Sequence, residues 1–319
     1  MLSKGSIILG VDTSNYTTSL AAFDLDGKLL ANVKVPLRVS EGARGLRQSD
    51  AVFEHTRNIP IAINELSALV DISRAIAVGC SEKPRNAEGA YMPCFLSGIA
   101  AAECFAAATG AKKYAFSHQD GHIRAAAYSA GFDIKDGEDF AAFHVSGGTT
   151  ELLHVHPERG ALKVTLIGET KDLNAGQLID RIGVKMGLKF PCGAEMDKLA
   201  LKCKEKPKGL KVCVNGMNCN LSGGENLAGS LYEKSGDREL TSAYAFAFVA
   251  KTLTKMTEAL RESYPDIPVV YAGGVMGSRY IKGILNFKNV YFAEPQFSSD
   301  NAVGVALLAY EKYRSEAEK

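Results

Sequence analysis

The 319 residues are 46% hydrophobic and 23% charged, enough apolar chain for two domains or one large two-lobed body. Thirty-seven basic residues against 36 acidic ones leave a net charge of +1, which excludes a globally basic nucleic-acid binder and restricts any polyanion site to a local patch. Seven cysteines, at 80, 94, 104, 192, 203, 213 and 219, include no Cys-x-x-Cys pair, which excludes a zinc ribbon or a disulfide framework and indicates reduced thiols.

Met1 to Gly5 has no apolar signal core and no apolar run is long enough to span a bilayer, so a cytoplasmic protein without a membrane partner is expected. Ser6 to Val11 reads as a strand ending at Asp12-Thr13-Ser14, and Thr17 to Phe23 and Lys28 to Val35 complete a three-stranded meander around the Asp24-Leu25-Asp26-Gly27 turn. The first turn gathers Asp12, Thr13, Ser14, Asn15, Thr17 and Thr18, a set that suits phosphate or magnesium contacts and equally a self-satisfied β-turn. Arg38 to Ser49 is a loop with Arg38, Arg44 and Arg47, read as solvated or as a polyanion contact. It leads into an amphipathic helix, Asp50 to Val70, with Pro60 a candidate kink. Ala75 to Cys80 is a buried strand, Lys83 to Glu88 a polar loop, Cys94 to Thr109 an alanine-rich helix, and Lys113 to Phe116 a short strand.

The following stretch, Ser117-His118-Gln119-Asp120-Gly121-His122, puts two imidazoles four residues apart on one helix face, where they can grip one ion. They stand at a strand-to-helix junction, and ligand sites of open α/β sheets lie at such edges. A lone histidine pair is a weak motif, and a third ligand, usually a carboxylate, must come from elsewhere. Asp120 and Arg124 make the surrounding surface polar, whereas Gly121 is a poor choice for a merely soluble helix.

From Phe140 the meander begins again: Phe140 to Ser146, Glu151 to His156 and Ala161 to Leu166 are strands. A repeated meander followed by helices and parallel strands indicates an internal duplication with a nucleotide between its halves. The turn Ser146-Gly147-Gly148-Thr149-Thr150 lets backbone N–H groups approach an anion, although the same residues make a plain hairpin turn. Asn174 to Leu188 is a helix presenting Gln177, Asp180 and Arg181, and Glu195 to Cys203 another, carrying Asp197. Five lysines lie between Lys202 and Lys211, either solvated or touching an RNA backbone, and Asn215 to Asn226 reads as a Gly/Asn-rich loop. Arg238 to Ser263 is the longest helix, its aromatics core-facing. Val269 to Arg279 is a strand breaking into the Gly273-Gly274 turn, where an adenine or ribose could lie against backbone near Ser278. After the strand Val290 to Phe292, Ser298 to Gly304 opens the terminal helix, with Asp300 where a helix cap also sits.

Taken in order along nearly the whole chain, these segments resemble the TsaD-like (Gcp/YgjD) catalytic subunits of tRNA threonylcarbamoyladenosine synthesis. Ile8 to Ser14 is similar to that family's opening strand, His118 and His122 to its metal-binding pair, and Val145-Ser146-Gly147-Gly148 to its phosphate turn. Asp180 matches the aspartate of its Gly-Glu-x-x-Asp helix, and Gly193 the second glycine of its Pro-Gly-Gly turn. Ala272 to Val275 matches its adenosine strand, and Asp300-Asn301 its terminal Asp-Asn. The resemblance implies an α/β fold of the duplicated actin-like, sugar-kinase-like (ribonuclease H-like) ATPase type. Its two lobes, 1–112 plus 300–319 and 113–299, would flank a nucleotide cleft.

It further implies one divalent ion, Fe2+ or Zn2+, on His118, His122 and Asp300. An adenine nucleotide, threonylcarbamoyl-AMP or ATP, with Mg2+ as an optional companion, would be held by Asp12, Ser14, Val145, Ser146, Gly147, Gly148, Asp180, Gly193, Asp197, Gly273, Gly274 and Ser278. The implied activity is metal-dependent, acyl-type transfer of threonylcarbamoyl from threonylcarbamoyl-AMP to N6 of the adenosine adjacent to the tRNA anticodon. The implied partners are tRNA, a homologous dimerising subunit and a small ATPase.

Departures from the family pattern fall on the nucleotide side. Asn15-Tyr16-Thr17-Thr18 stands where the family has Cys-Asp-Glu-Thr, and Ser81 to Asn86 replaces a Gly-Pro-Gly loop. Thr149, Gln177, Cys192 and Ser278 replace histidine, glutamate, glycine and asparagine. This pattern also suits a divergent, non-transferring paralogue that binds nucleotide and metal as an interaction subunit. An ATP-dependent small-molecule kinase accounts for the nucleotide turns but not for the histidines, and without His-Glu-x-x-His a metalloprotease is set aside.

Overall fold

The computed structural model describes residues 5–14, 16–38, 46–297 and 302–317. Asn15, Arg44, Ser298, Ser299, Asp300 and Asn301 lie outside them. The first meander forms as β1 (Ile7–Asp12), β2 (Thr17–Asp24) and β3 (Leu29–Pro36), paired antiparallel. The chain then passes through α1 (Gln48–Leu69), which continues through Pro60 although that residue forfeits a hydrogen bond. It reaches β4 (Ala75–Lys83), parallel to β1, and after α2 (Phe95–Thr109) it adds β5 (Lys112–Ser117), parallel to β4, and enters α3 (His118–Ser129). Lys83 was expected in a loop; it pairs with Ser117 and prolongs β4.

The second half repeats this plan. The strands β6 (Phe140–Val145), β7 (Thr150–Glu158) and β8 (Ala161–Glu169) form the meander. There follow α4 (Ala175–Lys185), α5 (Gly193–Lys202), a small hairpin of β9 (Cys213–Asn215) and β10 (Asn218–Asn220), α6 (Ser222–Ser235) and α7 (Arg238–Ser263). Then β11 (Val269–Ala272) pairs parallel to β6, and after α8 (Arg279–Ile284) β12 (Val290–Phe292) pairs parallel to β11. The chain closes in α9 (Val303–Ala317). The two five-stranded sheets, β3-β2-β1-β4-β5 and β8-β7-β6-β11-β12, share one topology, so the duplication read from the meanders extends to the parallel strands. Phe143, Tyr271 and Phe292 stack across β6, β11 and β12 at centroid separations of 4.8 and 5.2 Å, pinning the register of the second sheet.

Strand alternation sorts the core into layers. Ile7, Leu9 and Val11 face α1 and α2, while Ile8 faces α9. Ala141, Phe143 and Val145 face the α4–α7 helices, while Phe140 and Ala142 face α3 and Leu308 of α9. Helices α3 and α9 therefore form a shared layer between the two sheets. Val303, Val305, Leu307 and Leu308 are at most 2% exposed, and each such side chain contributes about 1.5–3 kcal/mol. The two helices meet at glycines: a Cβ on Gly304 would lie 1.8 Å from the Gly121 carbonyl oxygen. A Cβ on Gly121 of the histidine helix would in turn lie 3.0 Å from Val305 Cγ1, a contact that a glycine there avoids.

The expected Asn215–Asn226 loop is instead the hairpin and the start of α6. Its N-terminus is capped from 50 residues away: Asp172 Oδ2 accepts from Ser222 N–H at 3.2 Å and Ser222 Oγ–H at 2.6 Å, and Asp172 Oδ1 from Leu221 N–H at 2.8 Å. Burial pushes the Asp172 carboxyl up, but these bonds outweigh it and bring the pKa down to about 2. A carboxylate with a depressed pKa stabilises the fold above its unfolded value of 3.8, and that contribution is lost as pH falls towards 2. Among the described residues no helix is long and apolar enough to cross a membrane.

Two outcomes are expected. Asp172→Asn lowers the melting temperature at pH 7 and flattens the fall in stability between pH 4 and 2, as read by calorimetry. Gly304→Ala forces α3 and α9 apart and costs about 1–3 kcal/mol in a urea titration.

Candidate active site

The site is built where β5 delivers α3. Ser117 Oγ accepts from the Asp120 N–H at 3.1 Å and Asp120 Oδ2 accepts from the Ser117 N–H at 3.2 Å, a reciprocal capping box, and Asn86 Nδ2 donates to the same carboxylate oxygen at 2.8 Å. Asp120, expected on a polar surface, is 4% exposed, and burial raises its pKa against these hydrogen bonds. Arg124 likewise turns to a partner, Glu311 of α9, at 2.6 Å. The capped first turn presents His118 and His122 together, with ring centroids 4.2 Å apart.

Asp12, at the end of β1 and 1% exposed, meets them: His118 Nδ1 lies 2.9 Å from Asp12 Oδ2. A carboxylate only accepts, so Nδ1–H is the donor and Nε2 carries the ring's lone pair. Ser14 donates to the same carboxylate through N–H at 3.0 Å and Oγ–H at 3.2 Å. Thr13 Oγ1 bridges the Cys94 carbonyl and the Gly98 N–H at 2.9 and 3.0 Å, and Thr18 Oγ1 pairs with His55 Nδ1 at 2.8 Å. Of these groups only Ser14 is bonded within the turn; Thr13 and Thr18 bond to α1, α2 and the residue before α2, and the turn's carboxylate serves His118. One imidazole oriented by a carboxylate and a second one helical turn on form a donor set that fits a borderline divalent ion. Among the described residues no three His, Cys, Asp or Glu side chains converge to hold one, and Asp300, the expected third ligand, lies outside them.

Opposite stands the Ser146–Thr149 turn. Ser146 Oγ accepts from the N–H groups of Gly148 and Thr149 at 3.2 and 3.1 Å and lies 2.8 Å from Thr149 Oγ1, while Gly176 N–H donates to the Ser146 carbonyl at 3.0 Å. The turn therefore sits on the N-terminus of α4, where an anion is favoured by the helix dipole. Gly273 adopts φ +99°, and a Cβ there would lie 2.2 Å from the Val145 carbonyl oxygen, so only glycine lets this turn close on β6.

His118, His122, Ser146, Gly148 and Gly273 line one cavity of about 650 Å³. Val145, Asp12 and Ser14 are buried beside it. The structure does not bring Gly147, Asp180, Gly193, Asp197, Gly274 or Ser278 into its lining. Asp180 Oδ1 accepts from the Cys192 N–H at 2.8 Å, orienting the approach to Gly193. Asp197 accepts from Ser278 Oγ–H at 2.5 Å and from the N–H groups of Arg279 and Tyr280 at 3.2 Å, so both carboxylates engage protein backbone.

Sequence reasoning missed His144, Arg85 and Glu151, which line the same cavity. His144 has its ring 5.4 Å from that of His122 and its Nδ1 3.3 Å from Thr149 Oγ1. Its cross-strand neighbour is Glu151, whose pKa burial raises while Arg85 draws it down. The available signal was the polar residue in Phe140-Ala141-Ala142-Phe143-His144-Val145, two positions before Ser146.

Removing the Asp12 charge tests the histidine's support. Asp12→Asn is expected to weaken zinc or iron(II) affinity about 10–100-fold, measured by competition with a chromophoric chelator, without unfolding the chain.

A sequence model of the family described as tRNA N6-adenosine threonylcarbamoyltransferase (TsaD) matches residues 30–307. The tRNA N6-adenosine threonylcarbamoyltransferase of Streptococcus suis is 30% identical over 333 aligned residues, which cover 99% of this chain and 95% of the relative. Among solved structures, component A of the (R)-2-hydroxyglutaryl-CoA dehydratase of Acidaminococcus fermentans has a TM-score of 0.54 and 14% identity, with 97% of this chain and 99% of that chain covered. A ROK family glucokinase from Streptomyces griseus has a TM-score of 0.50 and 13% identity, with 95% and 99% covered. Likeness at such identities establishes the fold alone, the duplicated ATPase architecture of actin and the sugar kinases. The family match and the relative's near-complete coverage together establish that the chain belongs to the tRNA N6-adenosine threonylcarbamoyltransferase (TsaD) family.

Proposed function

We propose that the protein transfers the threonylcarbamoyl group from threonylcarbamoyl-AMP to N6 of the adenosine adjacent to the tRNA anticodon. The observation that carries this reading is the convergence, in one cavity, of the carboxylate-supported histidine pair, the Ser146–Thr149 turn and the Gly273 turn. In the transfer, the bond from N6 to the carbamoyl carbon forms, the bond from that carbon to the phosphate oxygen breaks, AMP leaves with the electron pair, and N6 gives up a proton.

The residues divide the work. The Ser146–Gly148 turn at the head of α4 binds the phosphate, whose charge grows as it leaves. Gly273 seats the nucleoside against bare backbone, with Gly274 behind it, and Asp197 and Ser278 fix that turn. His118 and His122, with Asp300 from the segment before α9, would hold one divalent ion, iron(II) or zinc; when bound, it supplies Lewis-acid polarisation of the carbamoyl group. Asp12 orients His118. A homologous subunit and a small ATPase are the proposed partners, and the cytoplasm the proposed compartment. His144 bears on the non-transferring alternative: an imidazole stands beside Thr149, where the resembled turn carries its histidine, so that replacement does not empty the cavity of an imidazole.

The test is transfer of labelled threonine from threonylcarbamoyl-AMP to unmodified tRNA, with the partner subunits supplied. Label incorporation by the parent, and its loss together with metal content in His118→Ala, is the expected result. Parent protein that binds metal and adenylate yet labels no tRNA overturns the reading. In the same assay His144→Leu is expected to fall at least about tenfold, an effect of roughly 1.4 kcal/mol, and Thr149→His added to it to recover part of the loss.

A further inference from the structure

Between α5 and β9 the chain runs from Cys203 to Val212 without helix or strand, yet it is not a loose loop. Leu210 and Val212 pack on the core of the second half, Tyr244 Oη donates to the Gly209 carbonyl at 3.3 Å, and Lys251 Nζ donates to the Leu210 carbonyl at 2.8 Å. Tyr244 and Lys251 are seven residues apart on α7, close to two turns, so both hold the segment from one helix face. The result is a strap tied across α7.

Its outer edge is basic. Lysines stand at 202, 204, 206, 208 and 211 against one acid, Glu205, and all five are exposed. Lys206 and Lys208 also border, with Lys234 of α6, a cavity of about 610 Å³ floored by Leu227, Leu231 and Tyr244. Among the described residues the lysine ion pairs involve other positions, and none of these six ammonium groups is in one. Like charges crowded on a tethered segment, in a chain of net charge +1, raise the free energy of the protein alone and lower it when a polyanion arrives. Lysine is a point charge without the planar fork of arginine, so such a row grips phosphates rather than reading bases.

Helix α5 links the strap to the nucleotide turn. Asp197, which holds Ser278, and Lys202 are five residues apart on it, about 7.5 Å along the axis. We infer that the Lys202–Lys211 strap, with Lys234, is a docking surface for the RNA phosphate backbone. The choice of RNA as the polyanion rests on the transferase reading.

The test compares Lys204→Gln/Lys206→Gln/Lys208→Gln, and the corresponding triple arginine variant, with the parent protein. Binding of unmodified tRNA is followed by fluorescence anisotropy across a salt series, and transfer in the labelled-threonine assay. The glutamine triple is expected to bind tRNA at least about tenfold more weakly at 0.1 M salt, with its log–log salt slope reduced by about 2–3. Its KM for tRNA should rise, with kcat and the KM for threonylcarbamoyl-AMP unchanged, and the arginine triple should behave as the parent. Parent-like affinity and slope in the glutamine triple, or a parent that binds no tRNA, overturns the strap. So does loss of binding to phosphatidylserine vesicles with tRNA binding intact, which would make the surface a lipid contact. A glutamine triple that binds as the parent does, while the parent transfers the group, overturns the strap and leaves the transferase standing. A parent that binds tRNA through these lysines but transfers nothing does the reverse.

Discussion

The crossing of α3 and α9 is the constraint on which the rest depends. Gly304 sits so close to the Gly121 carbonyl that no side chain fits between them, and the two backbones can therefore share one layer between the sheets. Each sheet contributes one face to that layer, Ile8 and Ala77 from the first and Phe140 and Ala142 from the second. Burial on both sides leaves α3 little freedom to slide. The Arg124–Glu311 pair, with the arginine side chain only 13% exposed, adds a directional lock between the same helices. Since His118 and His122 begin α3, the packing that joins the halves of the molecule also sets the position of the imidazoles relative to both sheets.

From that arrangement follows the character of the cavity. One wall comes from the first half, through Tyr16, Pro84, Arg85 and the start of α3, and the other from the second half, through the turns after β6 and β11. Asp12, the carboxylate paired with His118, is buried and bonded by His118 and Ser14, a placement that suits orienting the imidazole rather than attacking a substrate. The hydroxyls of Ser146 and Thr149 bond to each other, and that of Ser146 also accepts from the turn's own backbone, which stiffens the turn before any anion arrives. Glu151 and Arg85 place opposite charges in the cavity lining, where burial raises the Glu151 pKa and Arg85 draws it down.

Much of this was legible in the chain itself, and the reasons are local. The repeated meander announced itself because strand alternation and turn residues are short-range signals, and the second copy carried them as clearly as the first. The histidine pair was legible because helical spacing alone puts residues four apart on one face. The start of α6 was not legible. Ser222-Gly223-Gly224 has low helix propensity, and its cap is Asp172, 50 residues upstream. Asp120 was misjudged as a surface group because one of its partners is Asn86, 34 positions upstream, a contact no local pattern announces. His144 was passed over because a histidine in an apolar strand is ordinarily a core residue; only the pairing of β6 with β7 and the nearness of α3 turn it into a cavity wall.

By itself, then, the sequence determined the order of elements, the duplication and the residue types that bear the chemistry, since these follow from periodicity, turn preference and the coordination habits of side chains. Tertiary structure decided which of those residues work together. It joined Asp12 to His118 across 106 positions, closed Gly273 on Val145, and turned Asp180 and Asp197 towards backbone. Such choices depend on close packing between elements distant in the chain, where a few tenths of an ångström decide whether two groups bond or collide, and no local pattern encodes that distance.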